Sequence, residues 1–248
     1  MSADERRKAA RSYIERGASV IPVPAGENNP GRRGWEDLRI APEEVDSYWT
    51  NGQNIGLLTG EPSGWLVDVD LDSEEAVKLS GRFLPPTLTS GRKERPHSHW
   101  WYRSEGVESR DFKDTDKSKL VELRANGRQT IVAPSLHPSG DEYVWHRGSG
   151  LEVERIEAGE LEERLRELAT ASLIARHLPK HREHGGGGRH DYALALSGFL
   201  LRPGRLDEER TLKLLRAAWD AGDYPADRDK REALRALESV VSDTARNI

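Results

Sequence analysis

The sequence predicts an α+β domain followed by a small helical domain. Up to about residue 150, short β-branched or aromatic runs are interspersed with segments of helical period. Beyond about residue 152, charged helical segments follow one another without strand-like runs. We therefore assign residues 1–152 to the α+β domain and residues 153–248 to the helical domain, with a glycine-rich linker near residues 185–188.

The first domain begins with a predicted helix over residues 5–17, which ends at Gly17, and a strand in the run ASVIPV. The next segment, PAGENNPGRRGWEDL, is rich in Gly, Pro and Asn and predicts a loop. Asn126-Gly127 between two apolar runs predicts a hairpin turn. The other predicted elements are, in order, a short helix in APEEVDSYW, two strands in NIGLLTGEPSGWLVDVDLD, a helix in SEEAVKLSGRF, a strand in HSHWWYRS, the hairpin in KLVELRANGRQTIVAPS and a strand in EYVWHR.

The composition restricts the class of protein. With 38 basic and 43 acidic residues the net charge is −5, so a nucleic-acid partner has to be held by a local patch. The chain has no cysteine, which excludes disulfides and thiolate metal sites. No apolar run of about 18 residues and no secretory signal are readable. We therefore expect no membrane partner and a cytoplasmic location.

The segment WLVDVDLDS carries carboxylates at alternate positions. Two valines alternate with Asp68 and Asp70, which is the period of a strand with one apolar face. Same-face residues of a strand lie about 7 Å apart, so both carboxylates can bind one divalent ion or bridge two, and carboxylates favour Mg²⁺ or Mn²⁺. A solvated strand end is the alternative. We interpret Asp72, beside a predicted helix start, as a helix cap.

Basic residues and histidines lie together in TSGRKERPHSHWWYR, residues 89–103. Arg92, Lys93 and Arg95 are placed to contact phosphates. A histidine on the following strand, His97 or His99, can hydrogen-bond a phosphate oxygen or transfer a proton. A structural histidine beside solvated basic side chains is the alternative interpretation.

Glu122 interrupts an otherwise apolar strand between Val121 and Leu123. An acid in a strand centre is disfavoured unless it faces water or a cation, so a third metal-directed carboxylate and an exposed acid are both compatible with the pattern. The sequence carries no P-loop, dinucleotide-binding, nucleophile-elbow or zincin motif, which removes support for those enzyme classes.

In this order, the three elements resemble the bifunctional primase/polymerase N-terminal domains of the archaeo-eukaryotic primase superfamily. The family pattern is an alternating hydrophobic-Asp pair, then a small residue, any residue and His, and then a hydrophobic residue before an acid. The corresponding segments here are Val67-Asp68-Val69-Asp70, His97-Ser98-His99 and Val121-Glu122. GASVIPV, GRRGW and IVAPSLHPSGDEYVW match the surrounding pattern, so the resemblance covers roughly residues 10–147. His97 departs from the family's small residue, and the aromatic residues after His99 make His99 the expected functional histidine.

The resemblance implies an RRM-like catalytic core with a mixed or antiparallel sheet in residues 1–152, followed by a helical domain like the primase C-terminal domain. It implies a DNA primase and DNA polymerase that transfers nucleotides to a 3′-hydroxyl with two Mg²⁺ or Mn²⁺ ions. Expected partners are single-stranded DNA template, ribo- or deoxynucleoside triphosphates and a replicative helicase. The implied metal ligands are Asp68, Asp70 and Glu122, and the implied catalytic residues are these three and His99. The implied nucleotide-binding residues are His99, Arg92, Lys93, Arg124 and Arg128, and Arg32, Arg33 and Trp35 are further candidates for template or nucleotide contact.

Two other functions fit part of the pattern. A nucleotide-sugar transferase also uses an Asp-x-Asp metal site, but its fold needs a larger nucleotide-binding layer and does not predict the histidine strand. A non-catalytic RRM-like nucleic-acid-binding or replication protein would carry the acids without metal. Such a binder needs exposed aromatic residues and a basic sheet face rather than three carboxylates.

Overall fold

The computed structural model describes residues 2–147, 152–180 and 188–248. Within them the predicted α+β class is confirmed. The α-helices are α1 Ala3–Glu15, α2 Val45–Tyr48, α3 Glu74–Phe83, α4 Ala158–Arg176, α5 Gly188–Leu200, α6 Glu208–Asp220 and α7 Asp227–Arg246. The strands are β1 Val20–Val23, β2 Asn54–Leu58, β3 Leu66–Asp70, β4 Thr89–Arg92, β5 Arg95–Arg103, β6 Arg110–Lys113, β7 Lys119–Arg124, β8 Gln129–Val132, β9 Tyr143–Arg147 and β10 Glu154–Arg155. Of the predicted linker, residues 185–187 lie outside the described residues.

The first sheet has the strand order β1-β2-β8, and both of its pairings are antiparallel. The apolar side chains on one face of this sheet are buried against α1 and α2, because the helices present an apolar side, and those on the other face pack in a second cluster with Tyr143. Tyr13 of α1 and Val45 of α2 join Ile55 and Leu57 of β2 in this core, and Trp101 of β5 belongs to the same cluster. The two sheets of the first domain therefore share one hydrophobic core.

The second sheet has the strand order β6-β7-β3-β5-β4-β9, and β10 pairs in parallel with β5. Strand β3 runs antiparallel to both of its neighbours, β5 and β7. All five residues of β3 are buried, since the strand is covered at both edges and on both faces. The aspartates of β3 are therefore held in the interior of the sheet, next to residues of two other strands.

The turn after β7 does not close the predicted hairpin. Gly127 has φ +75°, and the Arg128 amide donates to the Ala125 carbonyl at 3.3 Å, so the turn itself lies where it was predicted. However, β7 pairs with β3, whereas β8 pairs with β2 in the other sheet, so the hairpin prediction is wrong. The Asn126 side chain accepts a hydrogen bond from the Glu61 amide at 2.7 Å, which anchors the turn to the segment between β2 and β3.

The chain forms two compact units. The first consists of Met1–Asp72, Pro85–Lys113 and Val121–Glu163, and the second of Ser73–Leu84, Asp114–Leu120 and Arg164–Ile248. The second unit has its own core, in which Leu215 and Trp219 of α6 pack with Leu237 and Val241 of α7. The domain boundary between residues 152 and 153 stays a prediction. In the part of the chain that the structure describes, no helix is long and apolar enough to cross a bilayer.

Candidate active site

Asp68 and Asp70 lie on β3, where the predicted alternation with Val67 and Val69 is present. Both aspartates are buried, with 0% of Asp68 and 8% of Asp70 exposed to solvent. Aspartate is a poor strand former, and a buried carboxylate is costly unless it is paired. Their presence at the centre of the sheet therefore has to be explained by their neighbours.

The register of the sheet brings the other predicted residues to the same place. Asp70 lies opposite Glu122 of β7 on one side and opposite His99 of β5 on the other. Asp68 lies opposite Arg124 of β7. Residues from three separate segments of the sequence thus meet at one end of β3, and Glu122, at 4% exposure, is buried as well.

His99 is hydrogen-bonded to Asp68. Its Nδ1 lies 3.0 Å from one carboxylate oxygen of Asp68 and 3.6 Å from an oxygen of Asp70. Burial of the ring opposes protonation, but the charges of Asp68 and Asp70 outweigh it, so the pKa of His99 lies above its ordinary value. Because a carboxylate accepts hydrogen bonds, this contact favours the proton on Nδ1.

Arg124 contacts all three carboxylates. Its Nη2 donates to Asp70 and, at 3.0 Å, to Glu122, while its Nη1 lies 3.5 Å from Asp68. Burial alone would lower the pKa of Arg124, yet Asp70, Asp68 and Glu122 raise it, so the guanidinium is charged. The side chain predicted to bind nucleotide is therefore an internal counter-ion in this structure.

A group of oxygen donors suited to a metal ion lies beside these contacts. One carboxylate oxygen from each of Asp70, Asp72 and Glu122 lies within 4.8 Å of the other two. Hard oxygen donors of this kind suit Mg²⁺ or Mn²⁺. The donor set fits the predicted metal type. The assignment of Asp68 as a ligand stays a prediction, since Asp68 lies outside this donor group. Its oxygens contact His99, Arg124 and Thr130.

Asp72 is not the cap of the following helix, so that interpretation of it is wrong. The N-cap of α3 is Ser73, whose side-chain oxygen accepts a hydrogen bond from the Ala76 amide at 3.1 Å. Serine is as good an N-cap as aspartate, and here it stands at the position where the chain turns into the helix. Asp72 continues the two-residue alternation of Asp68 and Asp70 and joins the oxygen-donor group.

The two candidate histidines lie in different surroundings. His99 is buried at the carboxylates, whereas His97 is exposed, has φ +55° and hydrogen-bonds Thr89 Oγ1 through Nδ1 at 2.9 Å. The His97 ring also packs at a tilt against His146, with the ring centres 4.4 Å apart. Between the two, the structure brings only His99 to Asp68 and Asp70.

The predicted basic residues fall into two groups. Arg92, at the end of β4, is largely covered and lies 3.1 Å from His137 Nδ1 and 3.5 Å from Asp141. Lys93 is exposed in the turn between β4 and β5, and Arg128 is exposed in the turn after β7. In the loop before α2, Arg32 and Arg33 are exposed, whereas Trp35 packs against the apolar cluster of Ile21, Val23, Leu58, Ile131 and Tyr143.

Besides Asp72, three residues of the site were not predicted from the sequence. Thr130 of β8 donates to Asp68 at 2.6 Å, so the first sheet also contributes to the site. Tyr143 lies near enough to Arg92 and Asp70 for their charges to act on its hydroxyl, and burial raises the pKa of Tyr143 to about 12. The ring of His137 packs edge-on against Tyr143. Only Tyr143 and His137 carried a signal, as members of the matched segment IVAPSLHPSGDEYVW.

A comparison with protein families agrees with this arrangement. The family model Prim-Pol, described as bifunctional DNA primase/polymerase, N-terminal, matches residues 10–168. The match includes every strand of both sheets and all the residues of the carboxylate site. A search of curated proteins gave no match for the chain.

Proposed function

Because the chain belongs to the bifunctional DNA primase/polymerase N-terminal family, we propose that it is a DNA-templated nucleotidyltransferase. In this proposal it synthesises primers on single-stranded DNA and extends them with ribo- or deoxynucleoside triphosphates. The observation that carries the proposal is the register that sets Asp70 of β3 directly opposite Glu122 of β7 in a buried sheet, with His99 on the other side.

Asp70 and Glu122, with Asp72 beside them, would hold Mg²⁺ or Mn²⁺, and Asp68 is the further proposed ligand. When bound, two such ions activate the primer 3′-hydroxyl and neutralise the charge that develops on the leaving pyrophosphate. The protein contributes the fixed positions of the carboxylates. Asp70 and Glu122 are held in place because they lie within paired strands, whereas Asp72 follows the end of β3.

His99 is proposed to bind the triphosphate. Asp68 holds its Nδ1, which fixes the ring, and the raised pKa favours a protonated ring whose Nε2 donates to a phosphate oxygen. Arg92 would provide a further positive charge, held in place by its contact with His137. Lys93 and Arg128 are exposed and are proposed to meet nucleotide or template from the turns that carry them.

The direct test is the incorporation of labelled nucleotides on single-stranded DNA, with and without a primer, in Mg²⁺ and in Mn²⁺. We expect products in the wild type and none in Asp70→Asn, since this substitution removes a charge and changes little in shape. Glu75→Gln is the matched control because Glu75 pairs with Arg176 in the second unit.

Each outcome of this assay assigns a different function. Primer-independent products identify a primase-polymerase, and products that require a primer identify a polymerase. Absence of products under all conditions from a folded protein would contradict the proposal and favour the non-catalytic nucleic-acid binder.

A further inference from the structure

Arg124 lies where the carboxylates of β3 and β7 converge. Its Nη2 donates to Asp70 and to Glu122, whereas its Nη1 lies 3.5 Å from Asp68 Oδ2 and 3.3 Å from Thr130 Oγ1. Its side chain is only 20% exposed. The guanidinium thus has two sets of partners, and only the Nη2 set belongs to the oxygen-donor group.

We propose that Arg124 is a built-in counter-ion that holds Asp70 and Glu122 in the metal-free protein and releases them when a divalent cation binds. The inference rests on the proposed function, since it concerns the same carboxylates. Asp70 and Glu122 are two of the three members of the oxygen-donor group. A divalent cation on their oxygens is repelled by a guanidinium hydrogen-bonded to the same two side chains. Cation binding and the Nη2 contacts therefore oppose each other.

Arg124 can release Asp70 and Glu122 and still keep partners for its Nη1. Asp68 is fixed by His99 at 3.0 Å and by Thr130 at 2.6 Å, so it remains in place to pair with Nη1. An arginine fork can keep one edge paired while the other is freed, which a lysine ammonium is not shaped to do. The released Nη2 edge is then available to the triphosphate, which gives Arg124 its nucleotide contact only after the metal has bound.

The metal-free protein needs such a counter-ion. Asp68, Asp70 and Glu122 are all buried, and buried carboxylates destabilise a fold when no positive charge accompanies them. The stability of the metal-free fold and the affinity for divalent cations should therefore change in opposite directions when Arg124 is replaced. Removing the positive charge of Arg124 should weaken the metal-free fold and strengthen divalent-cation binding.

The test uses Mn²⁺ binding, followed by electron paramagnetic resonance, together with thermal melting in EDTA and in Mn²⁺. The full chain is compared with Arg124→Met and Arg124→Lys, and Arg110→Met serves as control because Arg110 is a half-exposed arginine of β6. We expect Arg124→Met to melt lower in EDTA, to gain more from Mn²⁺ than the wild type and to bind Mn²⁺ about ten-fold more tightly. Arg124→Lys should lie between the two, and Arg110→Met should match the wild type in Mn²⁺ affinity.

If Arg124→Met does not fold in EDTA, Arg124→Lys carries the same comparison against the wild type, because it keeps the positive charge and loses the fork that pairs with Asp70 and Glu122. Mn²⁺ affinity that is equal or weaker when Arg124 is replaced overturns the counter-ion role and leaves the proposed function standing. Absence of Mn²⁺ binding in the wild type and in every variant overturns both.

Discussion

Each compact unit contains a cluster of charged side chains, and the two clusters are built differently. In the first unit Asp68, Asp70 and Glu122 converge on Arg124. In the second unit, described here as the Asp114 cluster, Asp114 and Glu75 pair with Arg176 and His177. Arg176 lies 3.3 Å from each of Asp114 and Glu75, and His177 Nε2 lies 2.9 Å from Asp114.

The difference is the one expected between a structural ion-pair network and the proposed metal site. In the Asp114 cluster, two acidic side chains pair with one arginine and one histidine. Asp114 also accepts a hydrogen bond from the Thr115 amide at 2.6 Å, which fixes the carboxylate on its own loop. At the β3 site, three buried carboxylates share the guanidinium of Arg124. Asp68 is the one of the three that also hydrogen-bonds His99. An excess of buried carboxylates destabilises a fold and indicates a place for a further cation.

The largest expected effect is on catalysis. Glu122→Gln should reduce nucleotide incorporation at least about 100-fold, because it removes a charge that stabilises the reacting centre through the metal. Glu75→Gln, the same change in the Asp114 cluster, should leave incorporation per folded molecule unchanged. The assay is primer extension at saturating Mn²⁺ with melting curves for both variants. Equal losses in the two variants would remove the distinction between the clusters.

A smaller effect is expected at the histidines. His99→Ala should raise the apparent KM for the nucleotide about ten-fold, since a hydrogen bond to a charged group contributes about 1.5 kcal/mol or more. His97→Ala is the matched control, because His97 is exposed and hydrogen-bonds Thr89 instead of an aspartate. Steady-state kinetics with a fixed primer-template measures both. A larger KM change in His97→Ala would transfer the nucleotide contact to His97.

The Asp114 cluster should affect stability and its pH dependence. The hydrogen bond from His177 lowers the pKa of Asp114 from its ordinary 3.8 to about 2. A carboxyl whose folded pKa is depressed stabilises the fold above the unfolded value, and this contribution is lost as the pH falls from about 4 to about 2. Asp114→Asn should therefore lower the melting temperature at pH 6 and flatten its fall below pH 4. An unchanged acid profile in Asp114→Asn would show that other carboxylates dominate acid unfolding.

The smallest effect distinguishes two adjacent residues. Ser73→Ala should lower the free energy of unfolding by about 1 kcal/mol, the usual loss for an N-cap, without changing Mn²⁺ binding. Asp72→Ala should weaken Mn²⁺ binding and leave the free energy of unfolding unchanged, because Asp72 belongs to the oxygen-donor group instead of the cap. Urea denaturation and Mn²⁺ titration of both variants measure the contrast. If Asp72→Ala lowers the free energy of unfolding and leaves Mn²⁺ binding unchanged, Asp72 stabilises the start of α3 and is not a metal ligand.

Local patterns predicted the elements that carry the site. The alternation around Asp68 and Asp70 predicted β3, and the apolar run around Glu122 predicted β7. Strands β4, β6 and β10 were not predicted, because TSGR, RDFK and ER contain few β-branched residues and are strands by virtue of their partners. Strand β10 also shows that a strand follows residue 152, where the sequence predicted helices only. The hairpin prediction failed for the same reason: pairing depends on contacts distant in sequence, and Asn126-Gly127 specifies a turn without specifying which strands pair.

The composition of the site was only partly readable. The family resemblance predicted that Asp70, His99 and Glu122 belong to one site. No local sequence pattern predicts that they lie opposite one another. The pairing of Arg124 with the carboxylates depends on the antiparallel register of β3 and β7, which only the folded sheet fixes. One signal was available: Glu122 and Arg124 are two residues apart on a strand and so share a face. Thr130 gave no signal, because it comes from the other sheet.

The divalent-cation site on β3 and β7 is tested by measuring the binding of Mn²⁺ to the wild type, Asp70→Asn and Glu75→Gln by electron paramagnetic resonance. We predict that the wild type and Glu75→Gln bind Mn²⁺ with the same affinity and that Asp70→Asn, while remaining folded, loses this binding. Equal binding in all three proteins, or no binding in the wild type, would contradict a divalent-cation site on β3 and β7.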